Sequence, residues 1–219
     1  MTHRTWCAVI LTGIGRLAYP ADTNGLPLQV GTMTLQPCAT PGAWCGRFSR
    51  ALDPTAAIPD QLQIYFEFYP HSNPGSAQGM LVATEGGPGY PATETRSDYL
   101  ELYAPLRATR DVLIMDNRGT GRSGAIDCPA LQTSPMLTEE LVAACGRLLG
   151  ARAPLYSTAL AADDLSALID LLGAGPVDLY GDSYGTFFAQ VFAHGRGVGR
   201  IPGVGGITER IRAIQYQAP

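Results

Sequence analysis

Lysine is absent from this 219-residue chain; all 15 cationic side chains are Arg, a usage that fits a GC-rich coding sequence. Charge of either sign is sparse, at 16% of residues, the net charge is −4, and no run of like charges occurs. That excludes the basic field needed to hold nucleic acid phosphates. With 46% apolar residues the chain is globular rather than disordered. No apolar run approaches the ~20 residues that span a bilayer, so no transmembrane segment is predicted. There is no Cys-x-x-Cys and no His/Cys cluster, so the sequence asks for no metal. The glycines near the C-terminal end do not follow a strand and open a helix, as a dinucleotide loop would, and no cofactor is expected. Histidine is scarce too: His3, His71 and His194.

What is present fits one domain with a real core. The first residues, "MTHRTWCAVILTGIGRLAYPAD", have a basic start and an apolar stretch from Trp6 to Ile14, interrupted soon after by Arg16. They read as an unstructured leader or the product of a misplaced start codon, with a poor secretory signal ending near Ala18 or Ala21 as the alternative. Without Cys7, four cysteines remain in two local pairs, Cys38 with Cys45 and Cys128 with Cys145. An even count suits an exported, disulfide-bonded protein, although four cysteines allow three connectivities; reduced, partly buried thiols in a cytoplasmic protein are the alternative.

Along the chain, "TMTLQP", "CGRFSRALDP" and "QLQIYFEFYP" read as strands. In the last, Leu62, Ile64, Phe66 and Phe68 alternate with other residues, the pattern of a strand with one buried face. "GMLVAT" and "DVLIMD" are short continuous apolar runs, which suit parallel strands buried on both faces, and "PVDLYG" is a third short apolar run, read as the next strand. Between them, "SDYLELYAPLR" places Tyr99, Leu102, Tyr103 and Leu106 at helical spacing. "LTEELVAACGRLLG" and "STALAADDLSALIDLLG" read as helices capped by Thr138 and Ser157 and stopped by Gly150 and Gly173. "SYGTFFAQVFAHG" is a further helix. Strands alternating with helices predict an α/β fold whose sheet is mostly parallel. The boundaries read as a leader over 1–31, the domain over 32–194, and a Gly/Arg-rich tail over 195–219 with no clear strand.

Three motifs fall at strand ends. "EGGPGY", residues 85 to 90, follows "MLVAT"; its glycines let backbone N–H groups approach a developing oxyanion, or simply make a tight turn. "DNRGTGRSG", residues 116 to 124, follows "VLIM"; Asp116, Arg118 and Ser123 are expected to knit this loop together. That role is structural, since Arg is too basic for proton transfer. Gly181-Asp182-Ser183-Tyr184-Gly185 joins an apolar strand to a helix. A serine on so sharp a turn needs Gly181 and Gly185 on its flanks and is expected at positive φ, with Oγ projecting outward and the Tyr184 N–H at a helix N-terminus.

From about residue 34 to 194 the chain resembles the N-terminal part of an α/β-hydrolase. The branch is that of proline iminopeptidases and actinobacterial tripeptidyl aminopeptidases, on "EGGPGY", "DNRGTGRSGAIDCPALQ" and "LYGDSYGTFFAQVFAH". The resemblance implies Ser183 as the nucleophile, Gly87 and Tyr184 as oxyanion donors with Gly86 shaping the loop, and peptides or small esters as substrates. It implies secretion or the cell envelope, and the Cys128/Cys145 pair resembles a bridge of secreted relatives. Many relatives begin the first motif with His where Glu85 stands here. Esterase or lipase chemistry shares the same serine and donors; a non-catalytic relic is the reading from a different class.

The departure lies after the serine. The family's chain order is serine, acid, histidine, whereas only Glu209 and His194 follow Ser183 here. Eleven residues of helix put His194 about 16 Å along the axis from Ser183. The sequence therefore predicts a hydrolase fold truncated after the nucleophile helix, a tail read as out of frame, an exposed edge beyond the last strand, and little or no activity. His71 is the first alternative base to consider.

Overall fold

The computed structural model describes residues 25–197 and 212–214. One sheet of eight strands carries the fold: β1 (Leu28–Val30), β2 (Met33–Pro37), β3 (Trp44–Ala51), β4 (Gln61–Tyr69), β5 (Met80–Thr84), β6 (Asp111–Met115), β7 (Val177–Gly181) and β8 (Arg212–Ile214). Their order across the sheet is β1-β2-β3-β4-β6-β5-β7-β8. Consecutive strands from β1 to β4 pair antiparallel, as does β4 with β6. The three apolar runs named above are neighbours in the parallel half, β6-β5-β7, aligned so that Met80 faces both Asp111 and Val177. The described residues also form five α-helices, α1 (Arg96–Leu102), α2 (Pro129–Gln132), α3 (Glu139–Leu149), α4 (Thr158–Leu172) and α5 (Tyr184–Gly197), and a 3-10 helix at Gly150–Tyr156.

Both faces of β5 and β6 are covered, which is why their sequences do not alternate, whereas in β7 Val177, Leu179 and Gly181 are buried and Asp178 and Tyr180 half-buried. Met80, Val82, Leu113, Val177 and Leu179 pack on one side with Leu165, Leu168 and Leu172 of α4 and Phe188 and Phe192 of α5. Leu81, Ala83, Val112 and Ile114 pack on the other side with Tyr99 and Tyr103. Two helical layers thus sandwich the strands, and the strand ends that carry the motifs emerge at one rim.

Four readings are corrected. β4 is buried on both faces beyond Gln63, with Ile64, Phe66 and Phe68 in one core cluster, Tyr69 in the other, and Glu67 buried beside them. This fully buried carboxylate accepts the Tyr69 hydroxyl at 2.7 Å, the Tyr65 hydroxyl at 3.2 Å and a two-pronged ion pair from Arg96 at 2.7 and 3.0 Å. Helix α1 stops at Leu102; Tyr99 and Tyr103 enter the core while Leu102 and Leu106 stay exposed, so the helical period does not continue through Leu106. β1 lies inside the segment read as leader. β8 lies inside the tail and pairs parallel with β7, from Asp178↔Arg212 to Tyr180↔Ile214, so the expected bare edge at β7 is occupied there. Capping follows expectation: Thr138 accepts from the Leu141 N–H, Ser157 accepts from the Leu160 N–H, and Gly173 closes α4 in the left-handed conformation.

Cys38–Cys45 and Cys128–Cys145 are disulfides, with Cα separations of 5.3 and 5.6 Å. The first closes the Pro/Gly loop between β2 and β3. The second ties the residue before α2 to α3, a helix with no fully buried side chain. Burial cannot hold such a helix in place, so the covalent link does. Replacing both Cys128 and Cys145 by Ser is expected to lower stability by about 3 kcal/mol. It should also open residues 133–150 to limited proteolysis while β5–β7 stay protected. Unchanged cleavage there would show that α3 is held by other contacts.

Candidate functional site

The end of β7 turns directly into α5, and Ser183 stands on that turn with φ of +48°, exposed. Two close approaches make the turn possible. A Cβ on Gly181 would overlap the Gly185 carbonyl, and a Cβ on Gly185 would overlap the Thr84 carbonyl at the end of β5. Only glycine fits either position, as the sequence requires. The turn is tied to β5 by the Asp182 N–H donating to the Thr84 carbonyl at 3.2 Å and the Thr84 hydroxyl donating to the Tyr180 carbonyl at 3.1 Å. The Ser183 carbonyl accepts from the Thr186 N–H at 3.0 Å and its hydroxyl at 2.7 Å, starting the helix. Tyr184 leans away, its hydroxyl 2.6 Å from that of Thr158 on α4.

The Gly-rich loop after β5 meets this turn. A Cβ on Gly86 would lie 3.1 Å from the Ser183 Cβ and 3.6 Å from its Oγ, so the bare glycine backbone lies against the serine. Gly86 is buried and Gly87 exposed, with φ of +107° at Gly87. The structure thus brings together Ser183, Tyr184, Gly86, Gly87, Gly181 and Gly185 at one point on the rim.

The loop after β6 braces the neighbouring ground. Asp116, fully buried, accepts from the Thr93 N–H and hydroxyl and the Arg122 N–H, each at 3.0 Å. It thereby joins this loop to the one that begins at Glu85. Ser123 donates to the Asp116 carbonyl at 2.7 Å and accepts from the Tyr65 N–H at 2.8 Å. Arg118 turns inward to Asp164 on α4, at 2.7 and 2.8 Å. Asp164, Glu67 and Glu85 went unassigned in the sequence, although Asp164 stands on the apolar face of α4, where an acid demands a partner. Between these loops lies a cleft of about 560 Å³ walled by Pro91, Thr93, Arg96, Asp116 and Arg122. Ser183 is not among its walls.

Neither described histidine reaches the serine. His71 is buried near the start of β6: its Nδ1 lies 2.7 Å from an Asp111 carboxylate oxygen and its Nε2 lies 3.1 Å from the Gly75 carbonyl. Asp111 is level with Val177 at the start of β7, whereas Ser183 lies past the end of β7. The two are separated by the strand's length, on the order of 15 Å. As an alternative base His71 is thereby excluded. His194 is exposed on α5. His3 and Glu209 lie outside the described residues. Among the described residues no group of three or more His, Cys, Asp or Glu is placed to hold a metal, and no helix is long and apolar enough to cross a membrane.

A sequence profile of the alpha/beta hydrolase fold matches residues 81–204, more than half of the chain. The chain belongs to this family. No curated protein matches it in sequence. Among solved structures it is similar to proline iminopeptidase of Mycobacterium smegmatis, at 18% identity and a TM-score of 0.42 over 68% of this chain and 40% of that one. A proline iminopeptidase-related protein of Thermus thermophilus matches at 18% identity and 0.40, over 68% and 40%. An epoxide hydrolase from an endophytic Streptomyces matches at 17% and 0.42, over 72% and 34%. The chain spans two fifths or less of the length of these three structures.

Proposed function

We propose that the chain carries the nucleophile and oxyanion loop of a serine hydrolase. Its activity would be release of residues or tripeptides from peptide N-termini, as in the proline iminopeptidase and tripeptidyl aminopeptidase branch. The observation that carries this is Ser183: exposed, at positive φ, at the start of a helix, with the Gly86 backbone against it. Ser183 Oγ attacks the carbonyl carbon, giving up its proton to a base from solution because neither described histidine reaches it, and the N–H groups of Gly87 and Tyr184 receive the oxyanion. The bond to the leaving group then breaks to give an acyl-enzyme. Asp116 and Arg118 shape the ground around the site without touching the reacting atoms. Peptidase specificity rests on the motifs "EGGPGY" and "GDSYG", and export to the cell exterior or envelope rests on the two disulfides.

An activated ester tests the reading, because its phenolate leaves without needing a proton. After incubation with p-nitrophenyl acetate, peptide mapping is expected to find the acetyl group on Ser183, with none in Ser183→Ala. Acetylation spread over other residues, equal in both proteins, would end the assignment.

A further inference from the structure

Glu85 opens the Gly-rich loop, and the reading of Ser183, Gly87 and Tyr184 gives it no task. Its carboxylate is held by donors from two directions. Oε1 accepts the Gly86 N–H at 2.7 Å, and Oε2 accepts the Tyr99 hydroxyl at 2.9 Å and the Thr95 hydroxyl. Thr95 immediately precedes α1 and Tyr99 lies within it. One side chain therefore fastens the first residue of the loop to the helix into which the loop returns. Gly86 is buried, so its N–H needs a partner inside the protein, and Glu85 supplies it. Gly87 is exposed beside it.

We propose that Glu85 is a positioning residue whose ionised carboxylate holds the Gly86 N–H and so turns the next N–H, that of Gly87, toward an oxyanion at Ser183. The clause about the oxyanion rests on the proposed function; the clamp on Gly86 does not. Burial works to raise the Glu85 pKa, but the Gly86 N–H and the Thr95 and Tyr99 hydroxyls outweigh it and hold the carboxyl below its ordinary value near 4.5. Burial and the Glu85 charge push the Tyr99 hydroxyl up, so it stays a donor. Glu85 faces Tyr99 of α1, which in turn packs against the rings of Tyr103 and Tyr180 and feels the charge of Asp182 at the end of β7. A carboxyl with a folded pKa below its unfolded one binds its proton more tightly when unfolded. Its stabilisation is complete above pH 4.5 and fades as pH falls through the folded value.

The test uses the ¹⁵N-labelled full chain. The Gly86 amide is expected to shift with pH, with a midpoint below 4.5, and to stop titrating in Glu85→Gln. In Glu85→Ala, hydrogen exchange of the amides of residues 86–94 should rise at least about tenfold, with β6 unchanged. Acetylation of Ser183 should slow by a similar factor. A Gly86 amide indifferent to pH from about 6 down to the onset of acid unfolding overturns the clamp, and this needs no variant to fold. Wild-type acetylation in Glu85→Ala overturns the positioning role. If Ser183 is inert in every form, the reading of the serine falls, while the amide titration still decides on the clamp.

Discussion

Asp164→Ala is expected to lower the stability of this protein by about 3–5 kcal/mol, a large share of the roughly 5–15 kcal/mol that holds a domain folded. Asp164 is fully buried on α4. One of its oxygens accepts from Arg118 Nη2 and Arg50 Nε, both at 2.8 Å, and the other from Arg118 Nε at 2.7 Å. Arg118 is buried too, and its Nη1 donates to the carbonyls of Leu52 and Leu155, at 3.1 and 2.9 Å. One guanidinium thus binds four segments: the loop after β6, the turn after β3, the 3-10 helix at Gly150–Tyr156, and α4. Removing the carboxylate leaves Arg118 charged, dry and unpaired. Arg50, whose side chain is 32% exposed, can turn to water. The penalty therefore falls on Arg118, and Arg118→Met combined with Asp164→Ala should cost less than the sum of the single changes. Urea titrations of the four proteins read this from the midpoints at constant slope. A cost below about 1 kcal/mol for Asp164→Ala would show that water or another acid compensates Arg118.

The same residue shows what the sequence carried and what it hid. Strands β5 and β6 were legible because "MLVAT" and "VLIM" are continuous apolar runs, and burial on both faces is the condition that permits this; β7, "VDLYG", was legible as a third short apolar run in front of the glycine turn. The turn at Ser183 was legible because glycine at 181 and 185 answers a steric demand independent of distant residues. The interior of β4 was not. Glu67 reads as solvent-facing by alternation, and its burial depends on Arg96, from a helix 29 residues on, together with the Tyr65 and Tyr69 hydroxyls. Asp164 carried a signal, an acid on an apolar helix face, but its partner Arg118 lies 46 residues earlier and belongs to a loop motif. Long-range ion pairs leave no periodic trace, and so the Arg118–Asp164 pairing stayed hidden, while the loop contacts of Asp116 and Ser123 and the glycines of the site did not. β8 failed to register for a related reason: three residues paired at an edge need no apolar run.

Amide turnover by this chain is expected at or near background, even where Ser183 accepts an acyl group from an activated ester. An amine leaves only with a proton, which a triad delivers through an imidazole that first took it from the serine. Of the described histidines, His71 is held between Asp111 and Gly75 at the far end of the strands, and His194 is well along α5. Loss of the base costs roughly 10⁴–10⁶ in rate, while oxyanion donors alone retain about 10³–10⁴ over water. The two numbers together predict a stalled reaction: one equivalent of p-nitrophenolate released as Ser183 is acylated, then almost no deacylation. Aminoacyl and tripeptidyl chromogenic amides should give no Ser183-dependent signal. Free imidazole, supplying from solution a base that no described histidine brings to Ser183, should restart ester turnover in the wild type and leave Ser183→Ala unmoved. Rapid Ser183-dependent amide hydrolysis without imidazole would sink this account. The base would then come from a residue outside those described, and His3→Ala would be the next protein to assay.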